Sequence, residues 1–147
     1  PSTELEYQHV FSTSWSLITP PRHRLARARR VRLQDLVEEP LIVFERGSTG
    51  RQHVLDAFRE QNLSPRIHME TTTTEIVIRM VEAGLGVSIV PLLASGAVTR
   101  GRKVAIRAIA DPIRRIHSGI LTRRGERLSA AAQEFVGFIR GNGSGRR

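Results

Sequence analysis

Two hydrophobic rhythms alternate along this chain, one with the period of a strand and one with the period of a helix. The stretch from His68 to Pro91, HMETTTTEIVIRMVEAGLGVSIVP, carries both. Arg66 to Glu70 predicts a short strand bounded upstream by Ser64–Pro65. Four threonines follow, Thr71 to Thr74, and then Ile76, Val77, Met80 and Val81 recur at the spacing of one helix face. Gly84 falls where a helix end wants a left-handed residue, and Gly86 lets the next strand start close against it. Val87 to Val90 is apolar apart from Ser88, as a strand covered on both faces should be, and Pro91 is expected to end it. The stretch reads as one βαβ unit. Its threonine loop would lie at the carboxyl end of a parallel pair, where open α/β sheets bind ligands.

The remaining pattern extends this unit. Leu5 to Phe11 and Ser14 to Thr19 predict two strands separated by a short turn, the second broken by Pro20–Pro21. Gln34 to Glu38 fits one helical turn, and Leu41-Ile-Val-Phe44 is a continuous apolar run suited to a central strand. Gly47-Ser-Thr-Gly50 then leads into a helix from about Arg51 to Gln61, with Val54, Leu55 and Phe58 on its buried face. Strand, helix, strand, helix, strand in this order predicts a small parallel sheet with right-handed crossovers. Beyond Pro91, Leu92 to Val98 reads as a short helix or turn, and Lys103 to Ile109 and Ile116 to Leu121 as strands. Ser129 caps a last helix on which Ala132, Phe135, Val136 and Ile139 share a face.

This order implies two lobes. Leu33 to Pro91 is self-consistent, whereas Leu5 to Thr19 and Ile116 to Arg140 supply strands and a helix that the middle does not need. The flanks would pair with each other, with crossovers near Thr19 to Leu25 and Val104 to Arg115. The expected divisions are 1–25 for part of a first lobe and the first crossover, 26–103 for an α/β second lobe, 104–140 for the second crossover and the return, and 141–147 for a disordered tail. A two-lobed body crossed twice is suited to closing on a small ligand.

Composition adjusts this picture in a few places. At 147 residues the chain can bury a real core, and no run approaches the roughly 18 apolar residues of a membrane span. There is no cysteine, which removes disulfides and thiolate chemistry and fits a reducing cytoplasm. The chain opens on Pro1 without a secretory signal and is expected to be a piece of a larger protein. The net charge of +9 is local: six arginines, Arg22, Arg24, Arg27, Arg29, Arg30 and Arg32, form one acid-free run. Setting aside these six and the two at the C-terminus, Arg146 and Arg147, leaves +1 for everything else. Without interleaved aromatics, the run is expected to be a solvated linker, not a nucleic-acid groove.

Catalytic chemistry finds no support. The histidines His9, His23, His53, His68 and His117 have no metal-ligand spacing, and no nucleophile elbow, phosphate-binding lysine loop or zinc-protease segment is present. No metal or cofactor is expected. Binding candidates are hydroxyls at helix starts. In the threonine loop, Thr72 and Thr73 could hold a carboxylate, sulfate or phosphate with the free N–H groups of the helix behind them, or one threonine could simply cap that helix. Ser48 and Thr49 form a second such nest, flanked by Arg46 and Arg51, with helix capping as the plain alternative. Thr19 ends a strand at the first crossover, where a hydroxyl could reach the cleft.

The motifs taken together resemble the effector-binding domain of LysR-type transcriptional regulators. The matching pieces, in the family's order, are Leu17-Ile-Thr-Pro-Pro-Arg-His-Arg-Leu-Ala26, Leu33-Gln-Asp-Leu36 with Pro40-Leu-Ile42, Gly47-Ser-Thr-Gly-Arg51, Val81-Glu-Ala-Gly-Leu-Gly-Val-Ser-Ile-Val-Pro91 and Leu128 to Ile139. The resemblance implies a fold similar to type II periplasmic binding proteins, with two Rossmann-like lobes joined by two crossovers. The family's helix-turn-helix is absent and the first lobe is incomplete, which would leave an exposed sheet edge and apolar face. DNA contact would then come only through the absent domain. The resemblance also implies a small, anionic effector between the lobes, side-by-side homodimers that form tetramers at full length, and a cytoplasmic location. Thr72 lies where the sulfur-assimilation regulators of this family are expected to have an anion-binding threonine. A rival with the same fold is an extracytoplasmic solute-binding protein. A more remote rival is an enzyme using the threonine cluster, which would need an acid beside it, and only Glu75 is available.

Overall fold

The computed structural model describes residues 4–92 and 96–143, with side chains to residue 140. The elements are β1 (Leu5–Thr19), β2 (Arg30–Val31), β3 (Leu41–Phe44), α1 (Thr49–Glu60), β4 (Ile67–Thr71), α2 (Thr74–Glu82), β5 (Ser88–Leu92), β6 (Ala105–Ile109), β7 (Ile116–Arg123) and α3 (Ala130–Gly143), with 3-10 turns at Arg24–Arg27 and Leu33–Leu36. The backbone divides into two compact units. One holds the residues up to Thr13 together with those from His117 onward, and the other runs from Ser14 to Ile116.

The larger unit is a sheet with a helix on each face. β3 and β4 pair in parallel, with Phe44 opposite Thr71. A parallel bridge joins Leu41 to Val87, and β5 continues into an antiparallel pairing with β1, Ser14 opposite Leu92 and Ile18 opposite Ser88. β1 also pairs antiparallel with β6, which pairs in parallel with β2. Strand side chains alternate between faces, and the core separates accordingly. Leu17, Leu41, Val43, Val87 and Ile89 gather with Val54, Ala57 and Phe58 of α1. Their strand neighbours Ile18, Ile42 and Val90 gather with Val77, Ile78 and Val81 of α2.

Several expectations are corrected. Leu5 to Thr19 is one strand of 15 residues and not two with a turn. The intervening Ser12-Thr-Ser14 offers no glycine or proline to bend the chain, and both halves find partners, β7 for the first and β5 and β6 for the second. β4 and β5, expected as a parallel pair, are separated by β3, whose N–H at Ile42 donates to Val87 O at 2.8 Å. Pro91 does not end its strand but stands within β5 opposite Trp15. The arginine run is no loose linker. Its arginines are exposed, but Leu25, Ala26 and Val31 between them are buried, and Arg24 and His23 both reach Glu39, at 2.7 and 3.0 Å. The expected helix or turn at Leu92 to Val98 falls partly outside the described residues.

The turn after α2 matches its expectation. Gly84 has φ +80°, its N–H bonds Val81 O at 2.9 Å, and Leu85 N–H bonds Met80 O at 3.1 Å, a complete Schellman closure. At Gly86 a Cβ would collide with the carbonyl oxygen of Pro40, so glycine is required for the close approach of β5 to β3.

In the smaller unit β7 pairs with β1, and a Cβ on Gly119 would run into Gln8 O and the Tyr7 ring. Ser129 caps α3 as expected, its hydroxyl accepting from Ala132 N–H at 3.2 Å. Phe135 does not join the shared face of α3. It is 64% exposed and Phe138 68%, while Ala132, Val136 and Ile139 are half-buried.

Candidate functional site

The chemistry-bearing residues gather where β3 and β4 end. Leaving β3, the chain turns through Gly47, whose φ of +89° suits a residue without a Cβ. Ser48 then caps α1, its Oγ accepting from Arg51 N–H at 3.1 Å. Leaving β4, Thr73 caps α2, its Oγ1 accepting from Ile76 N–H at 3.3 Å. Glu45 N–H donates to Thr71 O at 2.8 Å and ties the two loops together. Because β3 and β4 are parallel, both helices start at the same sheet edge. Each helix start carries partial positive charge and first-turn N–H groups that the helix cannot satisfy.

Ser48 and Thr73 spend their hydroxyls on their own helices. Thr49 and Thr72 are exposed, and their hydroxyls make no hydrogen bond to another described residue. These four expected residues therefore share one edge. Thr19 does not join them. It is fully buried, donates its hydroxyl to Pro20 O at 3.1 Å, and follows Ile18, which stands opposite Ser88 at the beginning of β5. That is the opposite edge of the sheet, because Val87 bridges to Leu41 at the start of β3.

Next to Ser48 lies an open pocket of about 370 Å³, lined by Gly47, Ser48, Thr49, Gln52, His53 and Arg114. Thr49, Gln52 and His53 stand three and four positions apart and so present one face of α1. Arg114 comes from the segment after β6, whose backbone is held by Trp15 Nε1 donating to Arg114 O at 2.8 Å. Among the described residues, the Arg114 guanidinium has no acidic partner and the buried His53 Nδ1 no hydrogen bond. Arg51, in contrast, is committed. It bonds Phe44 O at 2.9 Å and pairs with Glu70 at 2.9 Å, while Arg46 stands 3.8 Å from the same carboxylate. Among the described residues, the edge thus sets the Arg114 cation beside two helix starts, a setting for a small anion with hydroxyl or carboxylate groups.

Gln52 and His53 escaped the sequence reading, although their spacing from Thr49 held the clue. Arg114 lies 65 positions beyond Thr49 and nothing local marked it. Among the described residues, no group of three or more His, Cys, Asp or Glu side chains is placed to hold a metal ion, and no helix is long and apolar enough to cross a membrane.

Residues 1–144 match the sequence profile of the LysR substrate binding domain. The HTH-type transcriptional activator CmpR of Synechocystis sp. is 27% identical over 92% of this chain and 45% of its own length. The RuBisCO operon transcriptional regulator of Allochromatium vinosum is 32% identical over 94% of this chain and 46% of its own. The chain thus spans a little under half the length of these relatives. Among solved structures, the Synechocystis CcmR regulatory domain in complex with 2-PG superposes with a TM-score of 0.82 at 22% identity, covering 99% of this chain and 70% of that one. The effector binding domain of QuiR in complex with shikimate gives 0.79 at 22% identity, covering 97% and 66%.

Proposed function

This chain belongs to the LysR substrate binding domain family, and on that premise we propose that it is the effector-sensing portion of a LysR-type transcription regulator. The observation that carries the reading is the shared edge where Ser48 and Thr73 start two helices beside the pocket holding Arg114. A small anionic metabolite docks there through Thr49, Thr72 and the free first-turn N–H groups, with Ser48 and Thr73 fixing those helix starts. Thr19, buried at the other edge of the sheet with its hydroxyl on Pro20 O, takes no part in this contact. Two similar structures are complexes with 2-PG and with shikimate, which supports an acid of that size. The rest of the binding surface, the homodimer and tetramer contacts and the DNA-binding helix-turn-helix belong to the full-length cytoplasmic regulator, and no catalytic step is involved. Differential affinity for one arrangement of the regulator then shifts its population and hence its hold on DNA.

The test is an amide NMR titration of the chain with shikimate, benzoate and inorganic phosphate. At least one acid should give saturable shifts at Thr49 and Thr72, and Thr72→Val should weaken it by about tenfold, the value of one hydrogen bond to a charged group. Shifts confined to residues away from both helix starts would overturn the reading.

A further inference from the structure

The sequence scatters five histidines, but the fold brings two of them together 108 positions apart. The rings of His9 on β1 and His117 on β7 stand with centroids 5.5 Å apart at an interplanar angle of 72°. Ser12 Oγ lies 2.8 Å from His117 Nδ1 and 3.4 Å from His9 Nε2. Two imidazole nitrogens from different strands therefore face one hydroxyl oxygen. That hydroxyl has one hydrogen to give and two lone pairs, so at most one ring accepts from it and at least one ring donates to it.

We propose that His9, Ser12 and His117 form a binding site for a late first-row divalent cation, Zn²⁺ or Cu²⁺, with water completing the shell. Donors on a tetrahedral ion with metal–nitrogen bonds of about 2.0–2.1 Å stand roughly 3.3 Å apart, and the two separations to Ser12 Oγ bracket that spacing. Imidazole is a preferred ligand for these ions, and none of the three residues makes an ion pair with another described residue that the metal would have to break. The neutral rings bind, so protons compete and affinity falls as the histidines become charged. The position gives the site a consequence. β1 leaves the smaller unit after Thr13 and the chain re-enters it at His117. An ion on these residues clips β1 to β7 within the smaller unit, independently of any effector.

The experiment is a titration of the untagged 147-residue chain with ZnCl₂, followed by calorimetry and by the imidazole NMR signals. Saturable one-to-one binding should appear, with the His9 and His117 rings shifting first. His9→Ala and His117→Ala should each remove the saturable phase, while His53→Ala and His68→Ala should leave it. Circular dichroism of each variant confirms the fold, which these exposed positions are expected to tolerate. CuCl₂ should bind more tightly than ZnCl₂. Absence of saturation, or binding that survives loss of both His9 and His117, would overturn the site.

Discussion

The two units of this chain are built from the same kinds of element and differ in what those elements bury. Among the described residues, every buried side chain lies between Trp15 and Val90, inside the larger unit. The smaller unit has strands of alternating character and a capped helix but no fully buried residue among those described, and it exposes Tyr7, Leu121, Phe135 and Phe138. The difference is one of coverage. In the larger unit the sheet has α1 on one face and α2 on the other, so successive residues such as Ile42 and Val43 each meet a helix. In the smaller unit β7 alternates half-buried and exposed along its whole length. Alternation specifies a strand, but a core requires a second layer to receive it.

This contrast can be tested by deletion of matched side chains. Phe58→Ala should destabilise the larger unit by about 3–5 kcal/mol, since a fully buried ring is lost and a cavity remains. Phe135→Ala should change stability by no more than about 0.5 kcal/mol, as for other exposed positions. Urea unfolding monitored by circular dichroism measures both, and equal losses would break the comparison. Next in size, Gly86→Ala should cost about 1–3 kcal/mol, because the added methyl forces β5 away from Pro40 O. Gly84→Ala, with open space around its Cβ position, should cost about 1 kcal/mol, from its left-handed φ alone. The same unfolding assay separates the two. Ser48→Ala should cost about 1 kcal/mol through the lost cap of α1. The smallest effect sharpens the picture most directly. Phe135→Ser with Phe138→Ser should leave unfolding unchanged yet lower self-association at high concentration, read by light scattering, because exposed apolar surface is what brings copies together.

Legibility followed locality. The helix caps Ser48, Thr73 and Ser129, the Schellman turn at Gly84 and the apolar strand at Leu41 to Phe44 are decided by residues within one or two turns, and the periodicity and the caps announced them. Pairing is decided over distance. The insertion of β3 between β4 and β5 depends on Pro40 lying against Gly86, and the persistence of β1 past Ser12 depends on partners that arrive seventy or more residues later. The site divides along the same line. Ser48, Thr49, Thr72 and Thr73 share an edge because parallel strands put both helix starts there, as the βαβ pattern implied. Thr19 was misjudged in position because its distance from that edge depends on the antiparallel sense of β1, which no local signal carries. Arg114 and the His9–His117 pair were invisible for the same reason.

The long first strand also sets a timetable. Ser14 to Ile18 pair with Leu92 to Ser88, and Ser16 to Thr19 pair with Ala108 to Ala105. The ribosome makes these residues before their partners, which follow seventy or more residues later at roughly 5–20 residues per second. For several seconds of synthesis, then, an apolar strand containing Trp15, Leu17 and Ile18 has emerged with nothing to pair against. Its neighbours β3, α1, β4 and α2 can assemble in that interval from contacts close in sequence, before either of these partners of β1 has been made. β1 thus waits for its partners, and while it waits it is an apolar segment that a chaperone, or another nascent copy, can meet.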